Sequence, residues 1–536
     1  MRLISKMVNQ GIFVKKAATF GFLLLLFLGL FSQANATMEN DPTELIEFSS
    51  FLGGSGDEHM GVSYAFGSTV VDSKGNIIVG GRTTSIDFPL KDAFQDHNNG
   101  ISDCTLSKFH PNGSLIFSTY FGGSATELIL GLAVDSEDDI IIAGCTSSSD
   151  FPLMNEFPLN STGFIGGGTD CFIAKFSEDG QSLLYSTFFG GTGNDWLYTL
   201  SVDSNDRIAI SGTTQSTDFP LLNAHQSTNS GDLDIFVSFF EADAQFLLFS
   251  TYLGSTGIDH GRCIDFDSHG DILLTGITGF GELATEGAYQ EEHAGGSSDA
   301  FLAKFHVNGT LEYLTFLGGA SNDWGNALAV DSDDNVVITG FTTSDDFPTM
   351  NSYQDERVEY SEIFITKFTP DGQSVVFSTY MGGSSFDYGN AITTDPQDRI
   401  IVTGQTNSAN FPTTFPPDTT ESLHDNVSLV VLNQDGSLLL SMTFGGADID
   451  VGIEVAWHSN DSFIVLGYTE SANFPVYEAY QETYGGDYDM FIMKIDLKGL
   501  IDIPPAGFTF GLLEGGIVIG IIAVVALLLF VRKRAG

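Results

Sequence analysis

Basic residues are the first shortage. Only 20 Lys and Arg stand against 69 Asp and Glu in 536 residues, a formal net charge of −49. Phosphate binding is carried by clustered Lys and Arg, so nucleic acid or an anionic membrane surface is excluded as the main partner. Cysteine is sparse too. There are four, with no C-x-x-C pair and no zinc-type spacing, which argues against a structural zinc site. The ten His form no cluster, and no G-x-S-x-G elbow, H-E-x-x-H or P-loop occurs, so the common hydrolase and nucleotide-binding signatures are absent.

What is present is repetition. A Gly-rich marker followed by an acid stands at Gly53-Gly54, Gly122-Gly123, Gly190-Gly191, Gly254-Ser255, Gly318-Gly319, Gly382-Gly383 and Gly445-Gly446. A fixed period of this size, roughly 64 residues, is one supersecondary unit copied. The fifth copy spells out four strands. Residues 326–331 and 336–340 flank an Asp- and Asn-rich turn. Residues 362–368 and 375–381 flank Asp371-Gly372, a hairpin turn. The second and fourth strands are apolar on both faces, as strands packed on both sides must be.

The first copy is cut. The chain after its leader opens at residues 45–52, a fourth strand without the first three, and the repeats end at residues 489–495, a third strand without a fourth. The fragments complete one blade. Such a split closes a ring and removes exposed sheet edges. The sequence therefore predicts an all-β, closed seven-bladed β-propeller of four-stranded antiparallel blades over 45–499.

The unit resembles the prokaryotic seven-bladed β-propeller repeat family (SBBP). The residues that carry the likeness are Ala-Val-Asp-Ser at 329–332, Thr-Gly-Phe-Thr at 339–342, Ser-Asp-Asp-Phe-Pro at 344–348 and Lys-Phe at 367–368. The resemblance implies the propeller fold and a surface or secreted protein, without an assigned reaction. The fourth copy departs with Leu283-Ala284 in place of Phe-Pro, and the sixth with Val431-Leu432 in place of Lys-Phe. The S-x-D-x-G-x-T-W box of sialidase-like propellers is missing.

The ends carry their own signals. Residues 1–36 read as a signal peptide, with Arg2, Lys6, Lys15 and Lys16 before an apolar run and Ala34-Asn35-Ala36 as the cleavage pattern. An uncleaved anchor is the alternative. Residues 500–510 form a tether containing Pro504-Pro505. Residues 511–531 are apolar and long enough to cross a bilayer. The tail 532–536 holds Arg532-Lys533-Arg534, which marks the cytoplasmic side. The expected location is the cell membrane, single-pass, with the propeller outside; a cleavable sorting signal fits the same design. Cys145 and Cys171 lie at facing ends of the second and third strands of one copy, so a disulfide is expected between them outside the cell.

Two alignments of acids follow from the register. Five residues beyond each marker's first Gly stand Glu58, Glu127, Asp195, Asp259, Asp323, Asp387 and Asp450. At the start of the third strand stand Asp103, Asp170, Asp234, Asp299, Glu362 and Asp489, with Asn426 in the sixth copy. Antiparallel topology places both rings on one face. They serve either as turn-formers accepting backbone N–H groups or, through the first ring, as oxygen ligands for calcium. Trp196, Trp324, Tyr388, His59 and His260 follow ring acids and either line the central mouth or pack the loops. The leading functional expectation is a membrane-anchored binding or adhesion module for a surface protein or polysaccharide. The alternatives are an extracellular lyase or glycosidase using the acidic face, and a structural envelope component.

Overall fold

Each copy folds as four strands because its β-branched and aromatic runs are bounded by Gly, Asp and Asn turns. The computed structural model describes residues 45–58, 68–155, 168–279, 281, 283–414, 424–459 and 461–498. Strand β1 (Ile46–Leu52) is followed by six blades in chain order: β2–β5 from Ser68 to Phe121, β6–β9 from Glu127 to Phe189, β10–β13 from Asp195 to Leu253, β14–β17 from His260 to Leu317, β18–β21 from Asp323 to Met381, and β22–β25 from Asp387 to Phe444. Strands β26 (Asp450–Ser459), β27 (Ser462–Thr469) and β28 (Asp489–Asp496) complete the set. Among the described residues these form seven four-stranded sheets, and the last has the order β1-β28-β27-β26. The latch is antiparallel, with Ser50 opposite Ile492 and Leu52 opposite Met490. First strands touch their neighbours all the way round, and β2 meets both β6 and β26. The ring is closed.

The core lies between blades. Every position of the second strands Ile140–Thr146, Ile208–Thr214, Ile272–Thr278 and Val336–Thr342 is buried. Seven apolar clusters fill the seven gaps between neighbouring blades. The Phe of the Phe-Pro pair plugs these gaps: Phe151 packs against Phe121 of one blade and Phe172 of the next. Phe474 does the same between Phe444 and Phe491. Phe88, Phe151, Phe219, Phe347, Phe411 and Phe474 are all buried, and Leu283 takes the place of Phe against its cluster.

The lower face, where first strands turn into second strands, is held by ions. The turn Asp is buried and meets the Lys of the third strand: Lys108 with Asp72, Lys304 with Asp267 and Lys367 with Asp331 at 2.9, 2.9 and 2.6 Å, and Lys175 with Asp135. Two blades lack that Lys, having Phe239 and Val431 instead. Each supplies an Arg within the turn, Arg207 against Asp203 and Arg399 against Asp395. Arg207 lies over the Phe239 ring at 4.8 Å. The charge is kept although its place in the sequence moves. A second set of bonds crosses between blades. Ser73, Ser136, Ser268 and Ser332 each donate N–H and O–H to an Asp of the next turn. Those acceptors, Asp138, Asp206, Asp334 and Asp398, sit at φ between 57° and 63°, a conformation Asp tolerates. These Asp residues act as turn acceptors.

Removing one partner of such a pair strands a buried charge. Lys108→Met is expected to destabilise the protein by about 3–5 kcal/mol, and Asp72→Asn added to it to recover part of that loss. Denaturant melts of the two variants check this. A single substitution with an unchanged midpoint would show that the pair does not hold the turn.

The leader 1–36, the tether, the segment 511–531 and the tail lie outside the described residues. No helix among the described residues is long and apolar enough to cross a membrane.

Candidate functional site

The first acid ring is a set of seven local clamps. Glu58, Glu127, Asp195, Asp259, Asp323, Asp387 and Asp450 are fully buried. Each accepts the backbone N–H of the residue four positions earlier, in the marker turn, at 2.6–2.9 Å. Each also takes the hydroxyl of the Thr that ends its second strand, Thr83, Thr146, Thr214, Thr278, Thr342, Thr406 and Thr469. In six blades a Ser two residues further on adds a third bond. In the fourth blade Gly279 N–H takes that role at 3.0 Å. The Asp or Asn before Phe-Pro clamps the same turn from outside: Asp346 accepts Ala320 N–H at 2.8 Å and Asn410 accepts Ser384 N–H at 2.9 Å.

The second ring stands beside the first. Asp103, Asp234 and Glu362 accept the side-chain amides of Gln95, Gln226 and Gln354 together with loop N–H groups. Asp489 accepts Gly485 N–H at 2.7 Å. The first marker Gly lies between the two rings. A Cβ on Gly382 would fall 2.7 Å from both Asp387 Oδ2 and Glu362 Cγ. Only glycine fits there, which explains the marker itself. Burial, with the neighbouring carboxyl adding to it, pushes these acids up: Asp299, Glu362 and Asp489 to about 7, and Asp323, Asp387 and Asp450 to about 6. Two groups of three closely spaced metal-ligating side chains occur among the described residues, Asp72–Asp138–Glu178 and Asp271–His306–Glu312. Neither contains a ring acid, and no member of either stands on the first ring's face.

The clamping bonds give a clear expectation. Asp323→Asn with Asp387→Asn removes two clamps and is expected to lower Tm, equally with calcium and with chelator. A Tm that rises with calcium in the parent chain, and no longer does so in the double variant, would instead favour ions at the ring.

Symmetry breaks in the channel. Six of the seven first strands carry a β-bulge just inside the ring acid, at Ile129/Gly131, Leu197/Thr199, Gly261/Cys263, Gly325/Ala327, Gly389/Ala391 and Gly452/Glu454. Bulges re-aim side chains next to binding sites. The re-aimed residues Leu130, Tyr198, Arg262, Asn326, Asn390 and Ile453 all line a central cavity of about 200 Å³. Arg262 Nη1–H donates to Asn326 Oδ1 at 3.2 Å. Asn326 and Asn390 donate onward to the Gly389 and Gly452 carbonyls at 2.9 Å. Cys263, Asp265 and Glu454 complete the polar wall. Ser201 Oγ–H donates to Asp265. Burial raises the Asp265 carboxyl and lifts Glu454 to about 8, and Glu454 Oε1 accepts the Val455 N–H at 3.2 Å. The channel thus holds one arginine, two acids and two amides, the amides at the same position of adjacent blades and the arginine and acids each from one blade.

Above the channel, Arg262 lies over the Trp324 ring at 4.7 Å, and Trp324 Nε1–H donates to Ser298 Oγ at 2.9 Å. His260 bonds Thr213 Oγ1 at 2.9 Å. Desolvation, with the Arg262 charge behind it, lowers the His260 ring to about 4; it is neutral. His59 lies outside the described residues. Among the cysteines, Cys145 and Cys171 are directly opposed across two strands, as expected. The expected disulfide is not formed in the structure. Both are buried free thiols, and Cys145 Sγ–H points to the Leu197 carbonyl of the next blade at 3.6 Å.

A family model described as a beta-propeller repeat, SBBP, matches residues 312–348 and 376–412. An uncharacterised WD repeat-containing protein of Acanthamoeba polyphaga mimivirus is 22% identical over 518 residues, covering 74% of this chain. The chain spans about a third of that relative's length, 34%. Similar solved structures include a protein of unknown function from Dyadobacter fermentans, 12% identical at a TM-score of 0.37, covering 84% of this chain and 98% of its own. They also include a quinohemoprotein alcohol dehydrogenase from Comamonas testosteroni, 9% identical at 0.40, covering 84% and 76%. A Penicillium chrysogenum alpha-L-arabinanase is 8% identical at 0.39, covering 84% and 99%.

Proposed function

We propose that this propeller of SBBP repeats is a ligand-binding module displayed on the cell surface, delivered by the signal at 1–36 and tethered by the apolar segment 511–531. Its binding site is the channel and its mouth on the acid-ring face, and its ligand is a surface protein or polysaccharide. The observation that carries this reading is the loss of symmetry there. Elements that hold the fold recur in every blade, whereas Arg262, Asn326, Asn390, Asp265 and Glu454 do not. Convergent polar groups in one concave site are what a binding function requires.

Protease treatment of intact cells should release the propeller, and the released material should retain a cell-wall or matrix fraction. Arg262→Met with Asn326→Leu is expected to abolish that retention without unfolding the ring. Full protection in intact cells, or retention unchanged by the two substitutions, would defeat the proposal. One observation favours a second reading, an extracellular carbohydrate-active enzyme. Glu454 and Asp265 line the same cavity and burial raises both carboxyls; a raised carboxyl facing a second one is the equipment of glycosidic general acid catalysis. Release of reducing sugar that Glu454→Gln abolishes would establish it.

A further inference from the structure

An aromatic row leads from the channel mouth to the surface between the fifth and sixth blades. Trp324 packs on Phe341 at 5.1 Å between centroids, and Phe341 meets Tyr388 edge-on at 4.7 Å. Tyr388 is near-parallel to Phe386, with 9° between planes at 6.4 Å, and Phe386 lies 5.0 Å from Tyr360. Tyr360 and Phe386 are 59% and 45% exposed, so large rings stand open to solvent at the outer end. The positions matching Tyr360 and Phe386 are Asp232 and Ile258 in the third blade, and Ile101 and Thr126 in the first. Neither pair is aromatic.

The row is held rigidly. Tyr360 sits at φ 39°, a conformation an aromatic residue adopts only when its surroundings impose it. Arg357 imposes it, donating to the Tyr360 carbonyl while its Nε–H bonds Asp345 at 2.9 Å. Amide and carboxylate groups flank the rings. Gln405 is the strand partner of Tyr388. Asn407 donates its N–H to the Phe386 carbonyl at 2.9 Å and its side-chain amide to Asp425 at 3.0 Å.

We propose that this row is a subsite for an uncharged glycan chain, whose sugars stack on Tyr360, Phe386 and Tyr388 while their hydroxyls bond Gln405, Asn407 and Asp425. This rests on the binding reading above and names its ligand class. Aromatic faces take the apolar face of a sugar and leave its hydroxyls to polar neighbours. The net charge of −49 turns away polyanions, which removes stacked nucleic acid and acidic polysaccharide. Two open rings with polar flanks are too small for a stable protein interface, which needs about 800 Å² on each partner.

The full-length chain is titrated by calorimetry against defined neutral hexasaccharides (β-1,4-glucan, β-1,3-glucan, xylan, mannan and α-1,4-glucan fragments) and against a galacturonate hexamer. At least one neutral probe is expected to bind. Tyr360→Ala with Phe386→Ala should weaken it on the order of tenfold or more, with the melting curve unchanged. Ile86→Ala, an exposed apolar residue elsewhere on the ring, should leave binding intact. Absence of binding to every neutral probe overturns the proposal, as does binding that survives the double substitution or prefers galacturonate. If the double variant binds no worse but Arg262→Met still abolishes matrix retention, the glycan row falls while the channel reading stands.

Discussion

A chain lacking residues 45–52 is expected to lose cooperative folding. Strand β1 is the outer strand of the last blade, pairing with β28 from Ile46 to Leu52. Its side chains belong to two interblade cores at once: Leu45, Ile46 and Phe51 lie in one, Phe48 and Leu52 in the other. Its backbone also bonds the loop beyond, through Ser49 with Tyr477 and Phe51 with Gln481. Five large side chains leave the interior on deletion. At about 1.5–3 kcal/mol for each buried apolar side chain, the loss is comparable with the whole stability of an ordinary domain, about 5–15 kcal/mol. The deletion also bares the edge of β28, an apolar strand able to recruit another chain. The expected result is a soluble aggregate or an oligomer without a sharp thermal transition. A monomer with an unchanged melting temperature would show that the ring does not depend on its latch. Adding residues 45–52 back as a peptide should restore the transition only if the pairing is the cause.

The fold was legible because its determinants are periodic. Marker glycines, Asp-rich turns and doubly apolar strands repeat, and the split first copy implies closure. The clamping role of the ring acids was legible as one of two accounts, since an Asp at a strand start has a known local use. The channel was harder. His260 and Arg262 could be noticed as unlike their counterparts, but Asn326, Asn390, Asp265 and Glu454 looked like ordinary strand residues. Their importance comes from a bulge two or three positions past the ring acid, and bulges have no strong sequence signature when no glycine is misplaced. The signal that was available is comparison across copies: the third residue after the acid is Leu130, Tyr198, Arg262, Asn326, Asn390 and Ile453, one of the varied columns of the first strand. The aromatic row escaped because Phe341, Tyr360, Phe386 and Tyr388 come from two blades and from loops whose meeting depends on the ring. The missing Lys of the third and sixth copies also had a readable answer, the turn residues Arg207 and Arg399, which only the shared Asp partner reveals.

Stability is expected to peak in mild acid, near pH 4–5, and to fall toward pH 8. Two populations of carboxyl groups set this. On the lower face, burial raises Asp72, Asp267 and Asp331, but hydrogen bonds and charge from Lys108, Lys304 and Lys367 outweigh it and leave each below its ordinary value. Their contribution is present above about pH 4, the unfolded value, and is lost as pH falls through the lower folded value. On the ring face the sign is opposite. Asp299, Glu362 and Asp489 are raised to about 7, and Asp323, Asp387 and Asp450 to about 6. The folded state binds protons there that the unfolded chain has given up. That contribution is full below about pH 4 and is lost as pH rises through 6 and 7. Thermal melts should show Tm falling by on the order of 10 °C between pH 5 and pH 8. General repulsion at −49 would give the same direction, but salt screens exposed charges far more than buried ones. The fall should therefore persist in high salt. Asp299→Asn isolates the cause, because Asn426 already occupies the matching position in the sixth blade. That variant should lose part of the slope and melt higher than the parent at pH 8. A Tm that climbs from pH 5 to pH 8, or a slope that vanishes in salt, would mean that the paired ring acids are charged in the folded protein.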